Sequence, residues 1–125
     1  MPATAFRQAV EHGDFDAATE LLADDVVFRS PAVFKPYHGR ETVATILRTV
    51  GTVLEDFRYT DELGGDGVHA LIFEARVGDR ELQGMDLIRA DGDGKIAELT
   101  VMVRPASGLM ALGGKMGPAL EAAGV

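Results

Sequence analysis

Asp86 has the least ordinary setting of any ionisable residue in this chain. Along Leu82-Gln83-Gly84-Met85-Asp86-Leu87-Ile88-Arg89-Ala90, residues Leu82, Gly84, Asp86, Ile88 and Ala90 share one face of a strand, and Asp86 is the only ionisable side chain among them. A carboxyl with apolar neighbours loses hydration, which raises its pKa above the ~3.9 of a free aspartate. A carboxyl so placed is suited to giving or taking a proton, or to donating to a developing oxyanion. The structural alternative is a carboxyl hydrogen-bonded to Tyr59 or to backbone at a pocket rim. Both readings stay open from sequence.

The other polar candidates carry less. Tyr59 has an apolar ring to bury and a hydroxyl to satisfy, so it serves as core or as a ligand donor. His38, in Tyr37-His38-Gly39-Arg40-Glu41, precedes a helix and lies either at a pocket mouth or at a helix start. His69 follows a Gly-rich turn and is expected to be an exposed strand-end residue, about four residues from the Asp86 rung and out of its reach. His12 suits a helix C-terminus, where a cation is welcome. His12, His38 and His69 lack an i, i+4 spacing and there is no cysteine, so no metal site is expected. No glycine run joins a strand to a helix with phosphate-loop spacing, and no cofactor is expected.

Asp86 is positioned by a hairpin. Its strand turns at Asp91-Gly92-Asp93-Gly94, where glycines supply the positive φ that tight turns need. The returning strand presents Ala97, Leu99, Val101 and Val103 on one face, and Glu98, Thr100 and Arg104 with Ile96 and Met102 on the other. Counting outward from the turns sets Asp86 opposite Leu99 on one side and Phe73 on the other, with Tyr59 one strand further. Phe57, Tyr59 and Leu63 alternate with polar residues before Gly64-Gly65-Asp66-Gly67, and His69, Leu71, Phe73, Ala75 and Val77 alternate after it. Four strands in a meander therefore fill residues 56 to 104.

Helices precede the meander. Ala3, Phe6, Ala9 and Val10 recur at helical spacing, Gly13-Asp14 ends that helix and caps a second over about Phe15 to Ala23, and Val26 to Arg29 reads as a short strand. Residues 31 to 39 read as a loop. Val43, Ile46, Leu47, Val50 and Leu54 mark a third helix from Arg40, weakened slightly by Gly51. After Pro105 the tail is apolar and Gly-rich. Leu109, Met110, Leu112, Met116 and Leu120 suggest a helix interrupted at Gly113-Gly114 and Gly117-Pro118, acting either as an adaptable apolar lid or as a face against a partner. The expected architecture is α+β: a curved antiparallel sheet with three N-terminal helices on its concave face, a cone with an apolar interior, and a short C-terminal helix.

Composition narrows the function classes. At 125 residues, with 46% hydrophobic and 26% charged residues, the chain reads as one globular domain with a core over residues 3–105 and a tail over 106–125. A net charge of −8 without any basic stripe argues against nucleic acid or an anionic membrane surface. No apolar run approaches the ~18 residues of a membrane span, and the absence of cysteine fits a cytoplasmic chain.

The order of elements resembles the nuclear transport factor 2-like superfamily, the cone fold shared by ketosteroid isomerase and small polyketide cyclases. The resemblance rests on Gly13-Asp14-Phe15-Asp16-Ala17, Leu22-Ala23-Asp24-Asp25-Val26-Val27-Phe28, Pro36-Tyr37-His38-Gly39-Arg40-Glu41 and Met85-Asp86-Leu87-Ile88 through Gly94-Lys95-Ile96. It implies the fold but no single activity, because enzymes, binding modules and dimerisation domains share it. The isomerase machinery mostly fails to carry over, one of three roles surviving, which argues against ketosteroid isomerisation by that family's mechanism. Its acidic base falls on Ser30 and its tyrosine donor on Phe6, neither able to fill the role, while its neutral aspartic acid donor falls on Asp86.

These readings lead to a cone that binds a small, mostly apolar molecule. Asp86 is its polar contact and candidate proton-transfer group, and Tyr59, Phe28, Phe73, Leu99, Val101, Val103, His38 and Met110 are candidate ligand contacts. The alternative is a non-catalytic dimeric interaction module whose cone is filled by its own side chains. In either case a homodimer is expected through the outer sheet face, where Gln83, Met85, Leu87, Ile96, Thr100 and Met102 mix apolar and polar groups.

Overall fold

The computed structural model describes residues 2–125. The elements run α1 (Pro2–Glu11), α2 (Phe15–Glu20), β1 (Leu22–Arg29), β2 (Tyr37–His38), α3 (Arg40–Val53), β3 (Glu55–Gly65), β4 (Val68–Val77), β5 (Arg80–Ala90), β6 (Ile96–Arg104) and α4 (Ala106–Ala122). The sheet is six-stranded, curved and unclosed, in the order β2-β1-β6-β5-β4-β3. It is mixed rather than wholly antiparallel. β1 lies parallel to β6, and all other neighbours are antiparallel.

Local chemistry explains most boundaries. Gly13, at φ 68°, ends α1 in the left-handed conformation that glycine adopts without strain, and the Asp14 carboxylate caps α2 by accepting from the Ala17 amide at 3.0 Å. The second helix is shorter than its apolar pattern suggests, because Leu22 already belongs to β1 and pairs with Ile96. Arg40 ties the start of α3 to β1, donating from Nε and Nη2 to the Leu22 carbonyl at 3.0 and 2.7 Å. Gly51 is a packing site rather than a weak point: a Cβ there would lie 2.5 Å from the Phe15 ring.

The register shifts at four places, and two of these shifts reverse an expected strand phase. At β6 the register passes from Arg89↔Glu98 to Ala90↔Ile96, so Ala97 is the extra residue. Ile96, expected on the outer face, is thereby fully buried in the core. At β3 the register passes from Tyr59↔Phe73 to Asp61↔Ile72, skipping Thr60. Leu63, expected to share a face with Tyr59, is turned out and 60% exposed. Glu62 takes the inward phase instead, where it accepts from Thr4 at 2.9 Å and pairs with Arg7.

The helices cover one face of the sheet. Phe6, Leu22, Val43, Leu71, Ile88 and Leu99 are among the side chains buried between the layers. The tail is a continuous helix despite its glycines and Pro118. It packs on α3 and on strands β4 to β6, and Gly108 permits the close approach, since a Cβ there would meet Leu82 Cβ at 2.8 Å and the Glu81 carbonyl at 2.9 Å.

Candidate functional site

β5 carries Asp86 in its inward phase between Leu82, Gly84 and Ile88, and among the described residues Asp86 is the one charged or polar side chain in the core, 8% exposed. Its ladder partners are Leu71 on β4 and Val101 on β6, not Phe73 and Leu99. The displacement is two residues, which preserves the face and changes the neighbours. Phe73 lies opposite Gly84, and Leu99 opposite Ile88. His69 is two rungs from Asp86 rather than four and is half-buried, not exposed.

Tyr59 reaches across from β3 to complete the pair. Its hydroxyl donates to Asp86 Oδ2 at 2.7 Å. Gly84 makes room for this: without a side chain there, the Phe73 ring lies over the strand, and Phe57 stacks on Phe73 with centroids 4.9 Å apart. Tyr59 stands edge-on to both rings. On its other side the Arg7 guanidinium lies 5.7 Å from the Tyr59 ring centroid, held in turn by Glu11 and Glu62. Among the described residues no hydrogen bond uses Asp86 Oδ1.

Burial pushes the Asp86 carboxyl up from its ordinary value of 3.8 to about 6, with the hydrogen bond from Tyr59 opposing the rise. The Tyr59 phenol is driven well above the ordinary phenol range, first by burial and then by the charge and hydrogen bond of Asp86. Tyr59 therefore stays protonated and donates. Asp86 is the member of the pair that changes charge near neutral pH.

Asp86 and Tyr59 sit on the wall of a cavity of about 440 Å³. Phe28, Phe73, Val101 and Val103 line it, as do both positions at which the resemblance leaves the isomerase machinery incomplete, Phe6 and Ser30. Leu99, His38 and Met110 do not line it. Leu99 is packed in the core behind the wall, His38 is exposed on β2 while its neighbour Tyr37 faces the cavity, and Met110 is 76% exposed on the outer side of α4. The tail contributes Leu112, Met116 and Leu120 instead, with Gly117 at an exposed rim. Glu11, Phe15 and Phe57 are wall residues that the sequence did not single out as contacts. Gly84 in mid-strand was the available sign of a crowded aromatic cluster, whereas Glu11 carries no sign in sequence. Among the described residues no group of three His, Cys, Asp or Glu side chains could hold a metal ion, and no helix is long and apolar enough to cross a membrane.

Residues 3–99 match the model of the SnoaL-like domain. The chain belongs to this SnoaL-like family. Among solved structures, the SnoaL-like chain is similar to a steroid delta-isomerase from Pseudomonas aeruginosa, with 45% identity over 98% of this chain and 90% of that one and a TM-score of 0.92. It is similar also to an uncharacterised protein with a cystatin-like fold from Silicibacter pomeroyi DSS-3, at 33% identity over 96% and 85% of the two chains and a TM-score of 0.92. A protein from Kribbella flavida DSM 17836 named as a candidate ketosteroid isomerase shares the fold at 20% identity, covering 84% of this chain and 76% of that one with a TM-score of 0.71. The search of curated proteins returned no match.

Proposed function

We propose that this SnoaL-like domain binds a small, mostly apolar molecule in its cone and that Asp86 moves a proton on it, in the manner of an isomerase or cyclase. The observation that carries the reading is one buried carboxyl, titrating near neutrality, on the wall of an apolar cavity. A cavity of about 440 Å³ exceeds the ~300 Å³ at which small-ligand sites begin. That supports ligand binding over a cone filled by its own side chains. Asp86 Oδ1, without a protein partner among the described residues, is the atom to take a proton from a carbon acidified by an adjacent carbonyl and to return it elsewhere. Tyr59 fixes the carboxyl and favours its charged form.

The name of the 45%-identical neighbour makes a steroid ketone the first substrate class to test. With a β,γ-unsaturated steroid ketone, the wild type forms the conjugated enone and Asp86→Asn loses about 10²- to 10⁴-fold in turnover while still binding. Unchanged turnover in Asp86→Asn, or binding without turnover in the wild type, overturns the proton-transfer part.

A second copy of the chain is the partner we propose for the outer sheet face. Met102, 50% exposed, and Phe34, fully exposed, adjoin a shallow groove formed with Arg29, Val33 and Thr100. The charges on this sheet face are matched: beside the groove Glu98 pairs with Arg29 and Arg89, and at the far edge Arg58 pairs with Glu74. Matched charge lets two copies of a chain with net charge −8 meet on this face without strong local repulsion.

A further inference from the structure

The charge inventory of the cavity names a ligand class that proton transfer alone does not. Among the described residues the wall holds two carboxyl groups, Asp86 and Glu11, and no lysine, arginine or histidine. Of the chain's six phenylalanines and two tyrosines, all but Phe34 line it. The face of an aromatic ring is the negative end of its quadrupole, so a cation set against several rings is attracted, and more strongly where water is excluded. An anion would meet the reverse, with no donor of positive charge to compensate its lost hydration. The Phe57–Phe73 stack and the Tyr59 ring stand beside the same carboxyl whose Oδ1 has no protein partner.

We propose that the cavity takes apolar amines in their protonated form, the ammonium paired with Asp86 and enclosed by the Phe57, Phe73 and Tyr59 rings. The inference rests on the cavity being a binding site, not on proton transfer there. The carboxylate supplies the counter-charge at the buried end, and the aliphatic and aromatic walls take the ligand's body. Arg7 does not oppose it, because its guanidinium is drawn off by Glu11 and Glu62 behind Tyr59.

Three probes with one apolar body separate the contributions: 1-adamantanemethylamine, 1-adamantanemethanol and 1-adamantanecarboxylate, titrated calorimetrically at pH 7.5. The amine is expected to bind about tenfold or more tighter than the alcohol, with the carboxylate weakest. Asp86→Asn should bring amine and alcohol within about threefold of each other. Phe57→Leu, which keeps an apolar wall, should weaken the amine and leave the alcohol nearly unchanged. An alcohol that binds as tightly as the amine overturns the inference, as does an amine preference that survives both substitutions. Failure of all three probes beside binding of a steroid ketone overturns the amine inference alone. Failure of the ketone as well overturns the binding-site reading with it.

Discussion

Asp86 is held in its unusual state by two opposed effects, and each can be removed separately. Burial raises its pKa and the Tyr59 hydrogen bond lowers it, burial prevailing. Because the folded chain holds the proton up to about pH 6 while the unfolded chain loses it near 3.8, the contribution of Asp86 to stability is largest below the lower value and is lost as pH rises to the higher one. The stability of the wild type relative to Asp86→Asn should therefore fall between pH 3.5 and 6.5 by on the order of 3 kcal/mol, measured by urea unfolding at each pH. A constant difference would place Asp86 in water. Tyr59→Phe should destabilise by about 1–3 kcal/mol, since Oδ2 loses its donor, and should move the titration of Asp86 to higher pH. A move to lower pH would mean that the hydrogen bond does not stabilise the charged form.

At the scale of elements, Gly84 and the bulges at Thr60 and Ala97 decide what surrounds the carboxyl. A Cβ at Gly84 would collide with the Phe73 ring, which itself stacks on Phe57 and stands edge-on to Tyr59. Gly84→Ala is expected to destabilise by about 1–3 kcal/mol and to disturb the near-ultraviolet dichroism of the tyrosines. Neither change would be seen if the ring could rotate away freely. The inward face of β5 was legible from alternation alone, because one strand's phase needs no knowledge of its partners. Its rung was not. Turn lengths shift register by whole pairs, so Asp86 came out beside Leu71 and Val101 rather than Phe73 and Leu99. The extra residues at Thr60 and Ala97 reversed the phases of Leu63 and Ile96 for the same reason: an insertion between two apolar alternations leaves no mark in composition.

At the scale of the molecule, the order of helices and strands carried the fold, because each amphipathic period names the element and segregated helices leave one sheet face to cover. The cavity was less legible. Phe73, Val101 and Val103 follow from strand phase and line the cavity, as does Phe28 on its short strand, while Leu99, His38 and Met110 lie one layer, one residue or one helix face away from it. A wall built from many elements is fixed by where the tail settles, and the tail's glycines read as breaks although α4 is continuous. The proposed dimer belongs to this scale too. Light scattering should give twice the monomer mass for the wild type, and Phe34→Asp with Met102→Lys should shift it toward one copy with the fold intact. A monomeric wild type would remove the outer face as an interface. The most direct measurement of the central claim is the carboxyl carbon-13 titration of Asp86 by NMR, alone and with the tightest of the cavity ligands. A midpoint of about 6 in the free protein, displaced when the cavity is filled, is the expected result. A midpoint near that of a free aspartate, unmoved by ligand, would contradict it.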